Sequence, residues 1–195
     1  MQALADNGTP TVTVSAPGYT GTVGTHPLTP SGFYISTGNI NTTTLSPDST
    51  VDVCFVKLDA ALNNSGGRTL RPGATPVSLT LSSNNASAGT ITNSPRTISP
   101  SQNCTSTNGD FLFHVAGNGT ATLSLATPAG YSTPANLNQS ISATVTVPVI
   151  TFNSPNQAMG KDSQENFTVT LGAPAPAGLV LTVTSLDPTR LLVAP

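Results

Sequence analysis

Two cysteines, two histidines and eight carboxylates are all the sequence offers for metal binding or covalent chemistry, apart from its many hydroxyls. Cys54 and Cys104 lack the paired spacing of a zinc site, and two distant histidines do not complete one. Cys54 sits in a strand pattern and Cys104 just ahead of another, 50 positions later. Separations of this kind occur in sandwiches whose sheets are tied across the core. A Cys54–Cys104 disulfide is therefore the expectation. The alternative is two unpaired thiols, with Cys54 a small core residue.

His26 and His114 are 88 positions apart and fall in different segments of the map drawn below, so they do not share a site. No Gly-x-Ser-x-Gly elbow occurs, and neither histidine has an organised nucleophile or acid nearby in sequence. The acids are Asp6, Asp48, Asp52, Asp59, Asp110, Asp162, Glu165 and Asp187. Calcium needs several oxygens converging from one loop, and no loop is that rich in acids. Asp162 with Glu165, and Asp48 with Asp52, leave open an inter-domain calcium ion; otherwise they are solvated turn residues. The reading is of a chain with no catalytic residue, no cofactor and no resident metal, and not of an enzyme. Eight Asn-x-Ser/Thr sequons, at Asn7, Asn41, Asn63, Asn85, Asn103, Asn118, Asn138 and Asn166, are numerous partly because Ser and Thr are so common. Tyr19 and Tyr131 could stack on sugars, but they recur at matching places in an internal repeat, which favours a structural role.

The elements that would position these residues are strands. Apolar residues alternate with Thr and Ser in short runs bounded by Gly, Pro, Asn and Asp, the pattern of half-buried strands. Strands are expected near 11–15, 22–28, 33–40, 50–58, 77–82, 89–92, 111–115, 120–125, 140–147, 149–152, 166–171, 179–184 and 191–193. Turns are expected at Ser46-Pro47-Asp48, Arg71-Pro72-Gly73, Ser94-Pro95, Asn108-Gly109-Asp110, Gly117-Asn118-Gly119 and Asp187-Pro188. Gly117-Asn118-Gly119 reads as a tight hairpin, since Gly and Asn tolerate positive φ. The one helix-like run, Val56 to Leu62, is too short to stand alone.

An internal repeat organises the strands. Ala16-Pro17-Gly18-Tyr19-Thr20 recurs as Pro128-Ala129-Gly130-Tyr131-Ser132, displaced by 112. Asp52–Leu58 matches Glu165–Leu171, displaced by 113, and Leu79–Ser83 matches Leu181–Ser185, displaced by 102. The shorter offset makes the loop Asp59–Thr75 some 11 residues longer than its counterpart. Residues 1–32 then read as the last strands of one repeat, 33–147 as one complete sandwich and 148–195 as the first strands of another. The flanking pieces would be frayed, paired together or completed by another chain. By alternation, Cys54, Val56 and Leu58 should face the core and Phe55 and Lys57 solvent. Phe111, Phe113 and Val115 should likewise point inward, and Leu112 and His114 outward.

Only 7% of residues are charged, against roughly 25% in typical soluble chains. The six basic residues (Lys57, Arg68, Arg71, Arg96, Lys161, Arg190) are scattered along the sequence and the formal net charge is −2, so nucleic acid is not an expected partner. No run is long and apolar enough to suggest a membrane span. Met1–Gly8 has neither a basic stretch nor an apolar core and does not read as a signal peptide, so export is inferred from composition.

Ser15-Ala16-Pro17-Gly18-Tyr19 leading to Thr29-Pro30-Ser31-Gly32-Phe33, Leu70-Arg71-Pro72-Gly73, Thr127–Pro134, Pro174–Gly178 and Thr184–Pro188 together carry a resemblance. They resemble the bacterial immunoglobulin-like repeats of long adhesin- or invasin-like extracellular proteins. The resemblance spans most of the chain and implies an all-β fold, an Ig-like β-sandwich in tandem repeat. It implies an extracellular or cell-surface location and a stalk, spacer, fibre or adhesive role. It lends no catalytic residues. Its implied partners are neighbouring repeats, identical subunits, or a cell-surface or matrix ligand. The alternatives are a glycan-binding accessory module of a secreted enzyme and a filament subunit that assembles by strand complementation.

Overall fold

A computed structural model describes residues 1–107, 109–153 and 156–193. The fold is all-β, with one 3-10 turn and no α-helix among the described residues. The chain divides into two compact units, Met1–Val147 and Pro148–Pro195.

The first unit opens with β1 (Thr11–Val14) and β2 (Thr22–Thr25), followed by β3 (Ser31–Ile35), β4 (Ile40–Thr43), β5 (Ser49–Val51), β6 (Val53–Leu58) and β7 (Asn64–Gly67). Next come β8 (Val77–Leu79), β9 (Leu81–Ser83), β10 (Gly89–Thr92) and β11 (Arg96–Ile98). The 3-10 turn Thr105–Thr107, β12 (Phe111–Val115), β13 (Gly119–Leu125) and β14 (Ser140–Thr146) complete it.

One group of sheets joins β3 to β6 and β6 to β7, and β5 to β12 and β12 to β10, all antiparallel. The facing sheet runs β4-β14-β13-β9, with β4 parallel to β14 and the other pairs antiparallel. A further pair joins β8 to β11. Inward side chains of both layers share one core. Phe33, Ile35, Val51, Val53, Phe111 and Phe113 come from one side, and Ile40, Leu81, Leu123, Ile141, Ala143 and Val145 from the other. This is how alternating strands bury half of their side chains without α-helices.

Three expected strands are each broken in two. Residues 33–40 divide at Ser36–Asn39, so that β3 pairs with β6 and β4 with β14. Residues 50–58 divide at Asp52, and residues 77–82 at Thr80. In each case the chain leaves one sheet partner for another, which local alternation does not encode. Gly117-Asn118-Gly119 is not the turn of a hairpin. It links β12 to β13, which lie in different sheets with different partners. Two strands were not anticipated: β7, inside the long Asp59–Thr75 segment, and β11 after the cis Ser94–Pro95 bond. Of the expected turn Asn108-Gly109-Asp110, Asn108 lies outside the described residues.

On β6, Cys54, Val56 and Leu58 are buried as alternation predicts, but Phe55, expected to face solvent, packs against the main core. Val51, Val53 and Phe55 meet the shared core, while Cys54, Val56 and Leu58 are buried on the opposite face. That face is covered by the segment Ser132–Asn136. Ser132 N donates to Ser31 O at 2.9 Å, Ala135 N to Leu62 O at 2.8 Å and Asn64 N to Asn136 Oδ1 at 2.9 Å. Pro134 is buried in this strap. A Cβ on Gly32 would collide with the Ser132 carbonyl oxygen and press on Pro134. Phe111 and Phe113 face the core as alternation predicts, and Val115 packs at its edge.

In the second unit β15 (Ile150–Phe152) pairs antiparallel with β16 (Val169–Leu171), and the Phe152 and Phe167 rings lie 5.0 Å apart. Residues 179–184 and 191–193 form no strand. Val180 and Leu192 remain 83% and 79% exposed, so this stretch lacks the burial that would hold it as a strand.

Three tight turns repeat one geometry across the chain. Tyr19 N donates to Ala16 O at 3.1 Å, Tyr131 N to Pro128 O at 3.2 Å and Leu179 N to Pro176 O at 3.1 Å. Their third residues, Gly18, Gly130 and Gly178, have φ of 82°, 82° and 79°, the conformation a type II turn reserves for glycine.

Candidate functional site

The two cysteines form a disulfide, with S–S 2.03 Å and Cα–Cα 4.0 Å. It does not tie the two sheets across the core. Cys54 and Cys104 are antiparallel neighbours in one layer, on the strap-covered side of β6. The bridge pins the Gln102–Thr105 segment beside β6. Phe55 N donates to Asn103 O at 2.6 Å, Val53 N to Thr105 Oγ1 at 3.0 Å and Leu70 N to Gln102 O at 2.7 Å.

Asp52, in the break between β5 and β6, organises this corner. Its Oδ1 accepts from Thr105 Oγ1 at 2.8 Å and from Ser106 N at 2.9 Å, and its Oδ2 from Ser36 Oγ at 3.1 Å. Asp110 stands opposite, one step beyond the Phe111–Val51 register pair. Asp110 Oδ1 is buried and has no hydrogen-bond partner. Burial, then the charge of Asp52 and a hydrogen bond to it, raise the Asp110 pKa; Arg96 and Thr105 pull the other way. Asp52, Cys54 and Cys104 are the one grouping of three ligand-type residues among the described residues. Both sulfurs are consumed in the disulfide, so of this grouping only the Asp52 carboxylate remains as a ligand atom.

The other candidates are dispersed. His26 is exposed beside the β1–β2 hairpin. His114 is also exposed but has a partner that sequence did not reveal: its Nδ1 lies 2.8 Å from Asp48 Oδ1. Asp162 and Glu165 are exposed, and Glu165 is engaged by Gln157. Tyr19 is 82% exposed, while Tyr131 is half-buried and packs edge-on against Phe33 at 4.9 Å and Phe55 at 6.2 Å. Burial also raises the Tyr131 pKa, against a weaker opposing effect of the Arg71 charge.

One concavity stands out. A cleft of about 1060 Å³ lies between the exposed segment Met1–Asp6 and the surface formed by β6, the 68–78 segment and the Pro128–Tyr131 turn. Phe55 and Tyr131 supply apolar wall, and Lys57, Arg68 and Arg71 supply positive charge. Three of the six basic residues, all within the stretch 57–71, thus line one cleft. Lys57 comes from β6, and both arginines come from the segment after it. The signals for this were a lysine inside an apolar strand and an Arg-Pro-Gly turn in the longer loop, and neither carries weight without the fold. Asp6 is the one acid on the lining. Among the described residues no ion pair involves Lys57, Arg68 or Arg71.

No helix among the described residues is long and apolar enough to cross a membrane. No protein-family model, curated protein or solved structure matches this chain.

Proposed function

We propose that the chain is a non-catalytic structural or adhesive module built of tandem immunoglobulin-like repeats, working outside the cell or on its surface. The observation that carries the reading is connectivity. Labelled in order, β3/β4 correspond to strands A and A′, β5/β6 to B, β8/β9 to C, β10 to D, β12 to E, β13 to F and β14 to G. If the sheets β3-β6-β7 and β10-β12-β5 are joined through β5/β6, and β7 and β11 are left unlabelled, an A-B-E-D layer faces A′-G-F-C, and this supports the immunoglobulin reading. The disulfide departs from that pattern. It joins strand B to the segment before E, whereas antibody domains join B to F.

The flanking hairpins support tandem repetition. β1 and β2 pair around a Gly-Tyr type II turn as β13 and β14 do, and β16 pairs with β15 as its sequence counterpart β6 pairs with β3. The disulfide suits an oxidising compartment. The test has two parts. Proteinase K digestion should leave a resistant core beginning near Ser31 and ending near Val147. Maleimide labelling of the protein taken from its native source should find no free thiol. Cleavage within β12 or β13 at the earliest time point, or two labelled thiols, would remove the reading.

A second reading, assembly between copies, has one favouring observation. β1–β2 and β15–β16 are two-stranded sheets with Val14, Val23 and Ile150 largely exposed, and isolated two-stranded sheets are marginal in water. Strand addition between copies would extend them. Sedimentation showing monomer across the accessible concentration range would reject it.

A further inference from the structure

We propose that the cleft beside Phe55 and Tyr131 binds an acidic oligosaccharide, its carboxylate or sulfate groups held by Lys57, Arg68 and Arg71. The inference goes beyond the repeat-module reading and does not depend on it, since a spacer needs no ligand.

Charge is the first argument. The chain is poor in charge, with 7% charged residues and a net charge of −2, yet half of its cations line this one cleft. Lys57 and Arg71 are half-buried there. Holding a cation partly out of water without an anion is unfavourable, and no carboxylate of the first unit pairs with either. An anion from outside would complete them, and an arginine fork matches a carboxylate or sulfate face.

The wall chemistry is the second argument. Phe55 and Tyr131 provide aromatic surface for the apolar faces of a sugar ring, and Thr69, Thr75 and Ser78 provide hydroxyls for its polar edge. The aromatic wall is rigid, because Tyr131 and Phe55 are braced on Phe33, with the Phe33–Phe55 ring centroids 5.3 Å apart. With the exposed Met1–Asp6 segment as one wall, the cleft of about 1060 Å³ has room for a short oligomer rather than one small ion. Nucleic acid fits less well, because a net-negative protein with one local trio of cations offers no continuous track for a phosphate backbone.

Titration calorimetry on the whole chain at low salt tests this. The probes are a heparin-derived hexasaccharide, a galacturonate hexamer, neutral cellohexaose and a short single-stranded DNA. At least one acidic saccharide should bind, and cellohexaose should bind about tenfold or more weakly. Arg68→Gln and Arg71→Gln should each weaken binding roughly five- to tenfold, and added salt should weaken it further. Arg190→Gln, in the second unit, should bind as wild type. Arg68 is exposed and its side chain bonds only the neighbouring Gly67 carbonyl, so Arg68→Gln keeps the test decisive even if Arg71→Gln does not fold. No binding of either acidic saccharide, unchanged binding by Arg68→Gln, or equal binding of DNA would overturn the proposal. The proteolysis and thiol tests of the repeat module would stand unaffected by any of these results.

Discussion

Replacing Cys54 and Cys104 together by alanine opens a covalent loop that spans a sequence separation of 50. In the chain-entropy description, closing a loop of that length removes enough freedom from the unfolded chain to stabilise the fold by about 4 kcal/mol. The native state should survive the change. The Gln102–Thr105 segment remains held through backbone bonds to Phe55 and Leu70 and through Thr105 Oγ1 to Val53. The loss should therefore act mainly on the unfolded ensemble, and it has two signatures. The urea midpoint should fall by an amount equivalent to about 4 kcal/mol, and the slope should rise because the unlinked chain exposes more surface. Thermal midpoints should drop by roughly 10–15 °C. The chain has no tryptophan, so tyrosine fluorescence is the probe, and half-buried Tyr131 against Phe33 is the reporter. Reduced wild-type protein is the control and should match the variant. A loss under about 1 kcal/mol would refute the argument that the bridge stabilises by restricting the unfolded chain.

Asp110→Asn should stabilise the fold at neutral pH. The native Asp110 pKa is raised, so the folded state holds that proton more tightly than the unfolded chain does. Its stabilising effect is complete below the unfolded value of about 4 and is lost as pH rises through the folded value. The gain of the variant over wild type should thus grow above about pH 4 and then level off; a gain independent of pH would show that the Asp110 pKa is not raised in the folded state. Gly32→Ala should cost about 2 kcal/mol or more in urea melts, because the added methyl strikes the Ser132 carbonyl and the Pro134 ring. Gly130→Ala meets no atom, so its cost should be the smaller backbone penalty of about 1 kcal/mol for a left-handed φ of 82°. His114→Ala should change stability by less than about 1 kcal/mol, since its pair with Asp48 is exposed to solvent; a larger loss would mean the pair does more than surface charge pairing allows.

Strand existence was legible in the sequence because it follows from nearest neighbours. The alternation in Phe111–Val115 and Thr120–Leu125, bounded by Gly and Asn, needs only the period of a pleated chain to be read. The type II turns were marked in the same way, by a glycine at the one position where φ must be positive. Partnership was not legible. At Asn39, Asp52 and Thr80 the chain passes between sheets, and Gly117–Gly119 passes between layers, because of where distant strands lie. The second buried face of β6, carrying Val53 and Phe55, was missed for the same reason. A run apolar at Val53, Cys54, Phe55, Val56 and Leu58 is nearly continuous, and only the Pro134 strap tells which face meets the main core and which is covered from outside. The placing of Tyr131 beside the cleft cations and the Asp52–Asp110 corner belong to this second category. Local composition determines which segments extend and where they turn. Which charges and rings meet depends on contacts between residues as far apart as Phe55 and Tyr131, whose geometry exists only once both layers have closed on one core.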